Sequence, residues 1–214
     1  MYDEKKIEYY SLVREEIKSL IPPGAKRLLD IGCGTGTTAE WIKNTFDMEW
    51  AAGAELFHPA GEKAKQRLDE VYIGNIEEME LPVQPSSIDV ILCLDILEHL
   101  VNPWKIVSRL HKLLTENGVI ITSIPNLRNL KVIIPLVLRG RFDYTEEGLL
   151  DKTHLRFFVR DTAVALMESS GMKVDAVLGN MPPSGTKMHI LNKITLGMFS
   201  DFFVNQFIIR ARNQ

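Results

Sequence analysis

The sequence has 214 residues, of which 45% are hydrophobic and 25% are charged, and its formal net charge is −3. This composition is typical of one globular domain, and it lacks the basic excess of a nucleic-acid-binding surface. Two cysteines, Cys33 and Cys93, are too few for a disulfide framework, so we expect a reducing, cytoplasmic setting. The charged N-terminus predicts no signal peptide, and no apolar run is long enough to span a membrane.

The first predicted element is a helix over residues 3–20, which Pro22-Pro23-Gly24 ends. Short apolar segments then alternate with helix-compatible segments. Strands are predicted at 26–31, 49–54, 70–73, 88–94 and 119–123, and helices at 37–44, 58–67 and 103–114. This alternation favours an α/β fold with a doubly wound, mostly parallel sheet and helices on both faces.

The regular pattern is lost between residues 124 and 160, and it returns with a helix at 161–170 and a strand at 173–178. The apolar run at 202–209 is the predicted last strand. Loops beyond strand ends carry most of a fold's specificity, so we expect recognition in the irregular segment. The expected single domain therefore has four parts: an N-terminal helix (1–24), a core (25–123), a recognition insertion (124–160) and a C-terminal part (161–214).

The stretch Arg27–Ile42 reads RLLDIGCGTGTTAEWI and predicts a strand, a glycine turn and a helix. Its glycines permit positive φ and let a ligand approach bare backbone, while the helix start offers unpaired N–H groups. This pattern predicts a nucleotide-type ligand at the carboxyl end of the first strand. The dinucleotide fingerprint G-x-G-x-x-G fits less well, because Thr37 occupies the position of its third glycine.

The string Leu29–Gly36 resembles the first motif of the class I S-adenosylmethionine-dependent methyltransferases, whose usual form is (L/V)LD(I/V)GCGTG. The resemblance implies a Rossmann-like sheet of seven strands with an irregular or helical insertion after strand five. It also implies S-adenosyl-L-methionine as cofactor and S-adenosyl-L-homocysteine as product. Asp30 would lie near the cofactor's ammonium group. The residues implied for the cofactor turn are Gly32, Cys33, Gly34 and Gly36.

Glu55, followed by Leu56, comes after the second strand, at the spacing where an acid accepts both ribose hydroxyls of a nucleoside. The string GNIE at 74–77 resembles the adenine-edge motif of the class. There Asn75 replaces the usual Asp, and the backbone of Ile76 would meet the adenine ring. A solvated surface acid and a plain turn asparagine are the alternative interpretations of Glu55 and Asn75.

The string CLDILEHL at 93–100 resembles the fourth motif of the class, in which the backbone near Cys93 and Leu94 would border the methionine part of the cofactor. We favour a structural role for His99, because this string occurs with very different substrates. In many members of the class the N-terminal segment covers the cofactor. Tyr10 would then lie over the cofactor, and Arg14 would meet its carboxylate.

Four further strings resemble one subgroup, found in glycan and cell-surface polysaccharide biosynthesis. They are YYSLVREEI at 9–17, SIPNLRN at 123–129, LRGRFDY at 138–144 and GLLDKTHLRFF at 148–158. The resemblance implies a small-molecule or glycan acceptor, and a sugar hydroxyl must lose a proton to a base. The candidate base is His154, which Asp151 could orient. The candidate substrate-binding residues are Asn126, Arg128 and Arg156.

The alternative to a catalytic His154 is a structural one, in which a buried polar cluster around this residue holds the irregular segment against the edge of the sheet. The histidines have no ligand neighbours at zinc spacing, so no metal site is expected, although a magnesium site of scattered carboxylates stays open. The apolar stretch Val132–Leu138 suits a pocket lid, a dimer contact or a peripheral membrane contact, and both a monomer and a homodimer stay open.

We therefore expect S-adenosylmethionine-dependent methyl transfer to a small molecule or glycan, on oxygen. One alternative is an NAD(P)-dependent oxidoreductase. Another is a non-catalytic cofactor-binding module in a glycan-assembly complex.

Overall fold

A computed structural model describes residues 11–180, 194 and 199–213. Seven strands in this part of the chain form a single sheet. They are β1 (Arg27–Ile31), β2 (Trp50–Glu55), β3 (Glu70–Ile73), β4 (Ile88–Leu94), β5 (Leu114–Pro125), β6 (Lys173–Gly179) and β7 (Gln206–Arg212). Their order across the sheet is β3-β2-β1-β4-β5-β7-β6.

Five α-helices accompany the sheet in the described ranges. They are α1 (Thr37–Phe46), α2 (His58–Ala64), α3 (Pro103–His111), α4 (Leu130–Arg139) and α5 (Arg160–Glu168). Short 3-10 helices occupy Glu15–Leu20, Leu97–His99 and Ser200–Phe202. Of the helices described here, none combines the length and apolarity that crossing a membrane requires.

The strand order reverses between β1 and β4, and this reversal fixes where a ligand can bind. β1 pairs in parallel with both β2 and β4, and β4 pairs in parallel with β5. β7 is antiparallel to β5 and β6. In open α/β sheets, ligands bind in the crevice at the carboxyl ends of the strands that flank such a reversal. The glycine turn after β1 lies at this edge.

The sheet is buried on both faces. Ile91 and Cys93 of β4 belong to one apolar cluster, and Val90 and Leu92 belong to the other. A strand buried on both sides reads as a nearly continuous apolar run, which explains the sequence of Ile88–Leu94.

Three elements differ most from the sequence predictions. In the predicted helix over 3–20, residues 12–14 are not helical and Glu15–Leu20 is a 3-10 helix. β5 begins at Leu114 rather than at residue 119, and a register shift between Ile88 and Val90 accommodates the added residues. The last strand spans Gln206–Arg212 rather than 202–209, because Ser200–Phe202 turns as a 3-10 helix.

Candidate active site

The glycine turn connects β1 to α1 in a conformation that other residues seldom adopt. Gly32, Gly34 and Gly36 have φ values of 77°, 56° and 80°. Gly36 is the N-cap of α1 and provides no side chain to cap the first turn of that helix. The turn therefore passes the crevice as bare backbone, where a ligand can approach it closely.

Glu55 fastens this turn to the end of β2. One oxygen of its carboxylate accepts a hydrogen bond from the Gly34 N–H at 2.8 Å, and the other accepts from the Phe57 N–H at 2.8 Å. Burial raises the pKa of Glu55, while these backbone hydrogen bonds lower it, and the net shift is upward. Each carboxylate oxygen has a second lone pair, so the same side chain can still accept from ribose hydroxyls.

Asp30 is the buried acid of the site, with 3% of its surface exposed. Burial and the neighbouring Glu55 raise the pKa of Asp30 to about 7, although Arg14 opposes the shift. A ligand ammonium next to this carboxyl group would favour its charged form.

A cavity of about 650 Å³ surrounds these groups. Leu12, Thr38, Gly74 and Thr153 contribute to its wall, although the sequence analysis had not assigned them. Of the expected cofactor residues, ten line it: Arg14, Asp30, Gly32, Cys33, Gly34, Glu55, Leu56, Asn75, Ile76 and Leu94.

Two expected cofactor residues within the described part of the chain are absent from this wall. Gly36 caps α1 behind the turn, and Cys93 is fully buried in the sheet, where its backbone carbonyl accepts from Thr122 Oγ1 at 2.8 Å. Burial raises the pKa of the Cys93 thiol, which makes it an unreactive packing group. Tyr10 lies outside the described residues.

Asn75 forms a tight local turn at the other end of the cavity. Its side-chain oxygen accepts from the Glu77 N–H at 3.0 Å, and its amide group donates to Glu78 at 3.1 Å. The side chain is thus held at the wall where the adenine motif is expected.

Arg14 reaches across the opening from the N-terminal segment. It forms an ion pair with Asp95 and donates to Gln206 Oε1 at 3.1 Å. Asp95 follows β4 with a φ of 55°, and it also accepts from Ser123 Oγ at 3.0 Å and from Gln206. Asp95 was not among the expected site residues, although its place directly after a buried parallel strand was a usable signal.

A second cavity of about 630 Å³ adjoins the first, and Asp95 and His99 line both. Its wall includes Arg141, Lys131 of α4, and Gln206 of β7. Asp151 and His154 of the GLLDKTHLRFF string also line it. The irregular segment therefore closes a space next to the cofactor cavity.

Two histidines and a glutamate meet in this second wall. The rings of His99 and His154 lie 4.8 Å apart, and His154 Nε2 is 4.0 Å from Glu98 Oε1. Glu98 is 1% exposed, and neither of its carboxylate oxygens has a hydrogen-bond partner in the described structure. Burial and nearby Asp95 raise the pKa of Glu98 well above its usual range.

The backbone brings these residues together. The N–H groups of Leu155 and Arg156 donate to the Glu98 carbonyl at 2.8 and 2.9 Å, which fixes the 148–158 loop on the turn Leu97–His99. Asp151 accepts from the Thr153 hydroxyl at 2.6 Å, and that hydroxyl lies 3.1 Å from His99 Nδ1. Thr153 thus places Asp151 in a network with His99, and the His154 N–H donates to the Asp151 carbonyl at 3.0 Å.

Asn126, Arg128 and Arg156 require correction, because none of them lines either cavity. Asn126 is fully buried and donates to the backbone carbonyl of Val204 at 2.9 Å. Arg128 stacks on the Phe202 ring at 4.3 Å. Arg156 donates to the Val101 carbonyl at 2.5 Å. These side chains hold loops together.

Glu98, His99 and His154 form a group that could hold an ion, although no metal site was expected from the sequence. One ligand atom from each of these residues lies within 4.8 Å of the others. Sequence spacing could not indicate this group, because His154 comes from a distant loop.

Known proteins resemble this chain over most of its length. A family model described as a methyltransferase domain matches residues 3–177. Curated relatives include two proteins named ubiquinone biosynthesis O-methyltransferase. The protein from Albidiferax ferrireducens is 25% identical over 74% of this chain and 68% of its own length. The protein from Cupriavidus pinatubonensis is 29% identical over 69% of this chain and 63% of its own length.

Solved structures share the fold. A SAM-dependent methyltransferase from Archaeoglobus fulgidus has a TM-score of 0.69 and 18% identity, and the match covers 97% of this chain and 95% of that one. The magnesium protoporphyrin IX methyltransferase from Synechocystis, solved with bound S-adenosylhomocysteine, has a TM-score of 0.61 and 14% identity, and the match covers 94% and 83%. The chain belongs to the methyltransferase-domain family and is a class I S-adenosylmethionine-dependent methyltransferase.

Proposed function

We propose that this enzyme transfers the methyl group of S-adenosylmethionine to a hydroxyl oxygen of a small molecule. The observation that carries this proposal is the contact between the two cavities at Asp95 and His99. A cofactor in the first cavity would present its methyl group to an acceptor in the second. Methyl transfer is an in-line displacement, so alignment of donor and acceptor is the main requirement.

The reaction forms one bond and breaks one. The acceptor oxygen attacks the methyl carbon, the carbon–sulfur bond breaks, and its electron pair stays on sulfur to give S-adenosylhomocysteine. The hydroxyl proton must also leave. His154 is the proposed base, since it lines the acceptor cavity and its Nδ1 lies 3.3 Å from the Leu149 carbonyl, which favours a proton on Nδ1 and a lone pair on Nε2.

The polar side chains in the wall of the second cavity support a polyhydroxylated acceptor such as a glycan or nucleotide sugar. Amide side chains contribute from Asn180, Asn205 and Gln206, and cationic side chains from Lys131 and Arg141. The names of the curated relatives support transfer to oxygen and suggest an acceptor from ubiquinone biosynthesis as the competing class. Residues 124–160 would then form the acceptor-recognition insertion.

The first test is calorimetric titration with S-adenosylhomocysteine, with NAD as a parallel control. Binding of S-adenosylhomocysteine alone is expected. Transfer of a labelled methyl group is then measured on a panel of nucleotide sugars, glycans and catechols. Cofactor binding without transfer to any hydroxyl would contradict the proposal and favour a non-catalytic module.

His154→Ala should keep the affinity for S-adenosylhomocysteine and lose methyl transfer by about 100-fold or more, since a positioned base contributes that much. His111→Ala is the matched control, because His111 contacts Asn213 and lines neither cavity. Transfer that persists within a few-fold across pH in His154→Ala would remove the base assignment.

A further inference from the structure

Glu98 is a buried carboxylate that lacks the partners such a group needs. It is 1% exposed, and neither of its oxygens finds a hydrogen-bond donor within the described structure. A buried ionised group is stable only when it is paired or bound to a metal. The backbone N–H groups of Leu155 and Arg156 donate to the backbone carbonyl of Glu98. These bonds fix the position of the residue, but they provide no hydrogen bond to its carboxylate.

The two neighbouring histidines are oriented as metal ligands usually are. His99 Nδ1 lies 3.1 Å from the Thr153 carbonyl, and His154 Nδ1 lies 3.3 Å from the Leu149 carbonyl. A carbonyl only accepts, so each Nδ1 carries the proton and each Nε2 carries a lone pair. Metal-binding histidines almost always donate their second ring N–H in this way.

The spacing of the three groups suits a shared ion better than a direct hydrogen bond. His154 Nε2 is 4.0 Å from Glu98 Oε1, which is too long for a hydrogen bond. Two ligands about 2.1 Å from a common zinc ion lie up to about 4.2 Å apart. The ligand atoms of all three residues fall within 4.8 Å of one another, so small side-chain adjustments complete the triad.

We propose that Glu98, His99 and His154 bind a divalent first-row transition-metal ion in the wall of the acceptor cavity. Two imidazoles and one carboxylate suit Zn²⁺ or Mn²⁺ better than Mg²⁺, which prefers oxygen ligands. Three protein ligands leave a coordination position open for an exogenous group.

This inference rests on the proposed function and deepens it, because it places the ion where the acceptor oxygen would lie. A hydroxyl group bound to the ion has a lowered pKa and can release its proton to water before it attacks the methyl group. In this arrangement His154 acts as a ligand, and the ion takes over the activation assigned above to the ring.

The test uses the full chain without a histidine tag, freed of metal with a chelator. Calorimetric titrations with Zn²⁺, Mn²⁺ and Mg²⁺ measure affinity and stoichiometry. We expect one Zn²⁺ per chain, weaker binding of Mg²⁺, and an affinity for Zn²⁺ reduced by about 100-fold or more in Glu98→Gln. His111→Gln is the matched control and should bind Zn²⁺ as the wild type does.

Absorption of Co²⁺-loaded wild-type protein supplies a second readout that does not depend on any variant. Visible bands of nitrogen-ligated Co²⁺ are expected, and they should be lost in His99→Gln. A wild-type spectrum identical to that of aqueous Co²⁺, or unchanged Zn²⁺ binding in folded Glu98→Gln, would overturn the inference. If Glu98→Gln does not fold, His99→Gln and the wild-type spectrum decide.

The two proposals can fail separately. Methyl transfer by metal-free protein at the full rate would overturn the ion's role in activating the acceptor and leave O-methyl transfer with a histidine base intact. Tight Zn²⁺ binding at these residues, with no transfer to any hydroxyl acceptor, would keep the metal site and contradict the proposed function.

Discussion

Asp30 connects the pH of the solution to the stability of the ligand-free protein. Its neighbours are the carboxyl group of Glu55, the guanidinium of Arg14, and the thiols of Cys33 and Cys93, whose pKa values Asp30 raises. The pKa of Asp30 is about 7 in the folded protein, whereas an exposed aspartate has a pKa of about 4. A raised carboxyl pKa favours folding only while the group is protonated.

We therefore predict that the free energy of unfolding of the ligand-free protein falls as pH rises from about 4 through about 7. Asp30→Asn should flatten this part of the profile, because the amide does not titrate. Urea denaturation across the pH range measures the effect. A wild-type profile that rises over the same interval would contradict the assignment to Asp30.

Binding of the cofactor should show the opposite dependence. If its ammonium group lies beside Asp30, binding favours the charged carboxylate, so affinity for S-adenosylhomocysteine should increase as pH rises toward 7. Calorimetry in buffers of different ionisation enthalpy should detect a released proton in the wild type and none in Asp30→Asn. Equal proton release by both proteins would place the ammonium elsewhere.

At the same scale, residues that act within one local motif could be predicted from the sequence. Asp30, Gly34 and Glu55 reach the cavity because they lie at or just beyond the ends of adjacent parallel strands. The meeting of Glu98 with His154 could not be predicted, since it depends on how a loop without periodic sequence folds back. Hydrogen bonds from that loop to the Glu98 carbonyl determine the contact.

Among the secondary-structure elements, β2 packs unusually closely against the glycine turn. A Cβ atom added to Gly53 would lie 2.4 Å from Cys33 Sγ and 2.9 Å from Leu68 Cδ1. We predict that Gly53→Ala lowers the free energy of unfolding by about 1–3 kcal/mol, because a closely packed strand cannot take up the extra methyl group. Urea denaturation at constant pH measures the change.

Cys33→Ala provides the matched control for this prediction. It removes the sulfur atom that the new methyl group would meet, so Cys33→Ala/Gly53→Ala should recover part of the stability lost in Gly53→Ala. Independent, additive effects of the two substitutions would show that the strand relieves the overlap by moving instead.

Sequence patterns predicted the bounds of strands in the middle of the chain better than those of the elements near its ends. β3 and β4 have the predicted bounds, because each is a short apolar segment between turn signals. β7 begins later than predicted because Ser200–Phe202 forms a 3-10 helix, and Phe203 and Val204 are buried outside any strand although they read like strand sequence. Apolar sequence predicts burial in both cases, and the local backbone decides which element forms.

Across the whole molecule, three distant segments meet at the boundary between the two cavities. Arg14 comes from the N-terminal segment, Asp95 from the end of β4 and Gln206 from the start of β7. The antiparallel insertion of β7 between β5 and β6 brings Gln206 to this edge. The N-terminal segment is thus fastened beside both cavities, in the position where a cofactor lid is expected.

A double-mutant cycle on Arg14 and Asp95 tests whether this pair fastens the segment. The two side chains are largely shielded from solvent, with 18% and 31% of their surfaces exposed. We predict a coupling of about 1 kcal/mol in the free energy of unfolding of ligand-free protein, so that Arg14→Ala/Asp95→Asn costs less than the sum of the single substitutions. Glu16→Gln is the control, because Glu16 is the more exposed partner of Arg14 and should change stability by less than about 0.5 kcal/mol.

The same variants show whether Arg14 binds the cofactor or only holds the N-terminal segment in place. If Arg14 also meets the carboxylate of the cofactor, Arg14→Ala should weaken S-adenosylhomocysteine binding by about tenfold, which corresponds to the loss of one charge-assisted hydrogen bond. Asp95→Asn should not weaken binding to that extent, since it releases the guanidinium for the ligand. Unchanged affinity in Arg14→Ala would restrict the residue to fastening the N-terminal segment, and cofactor recognition would then rest on Asp30, the glycine turn and Glu55.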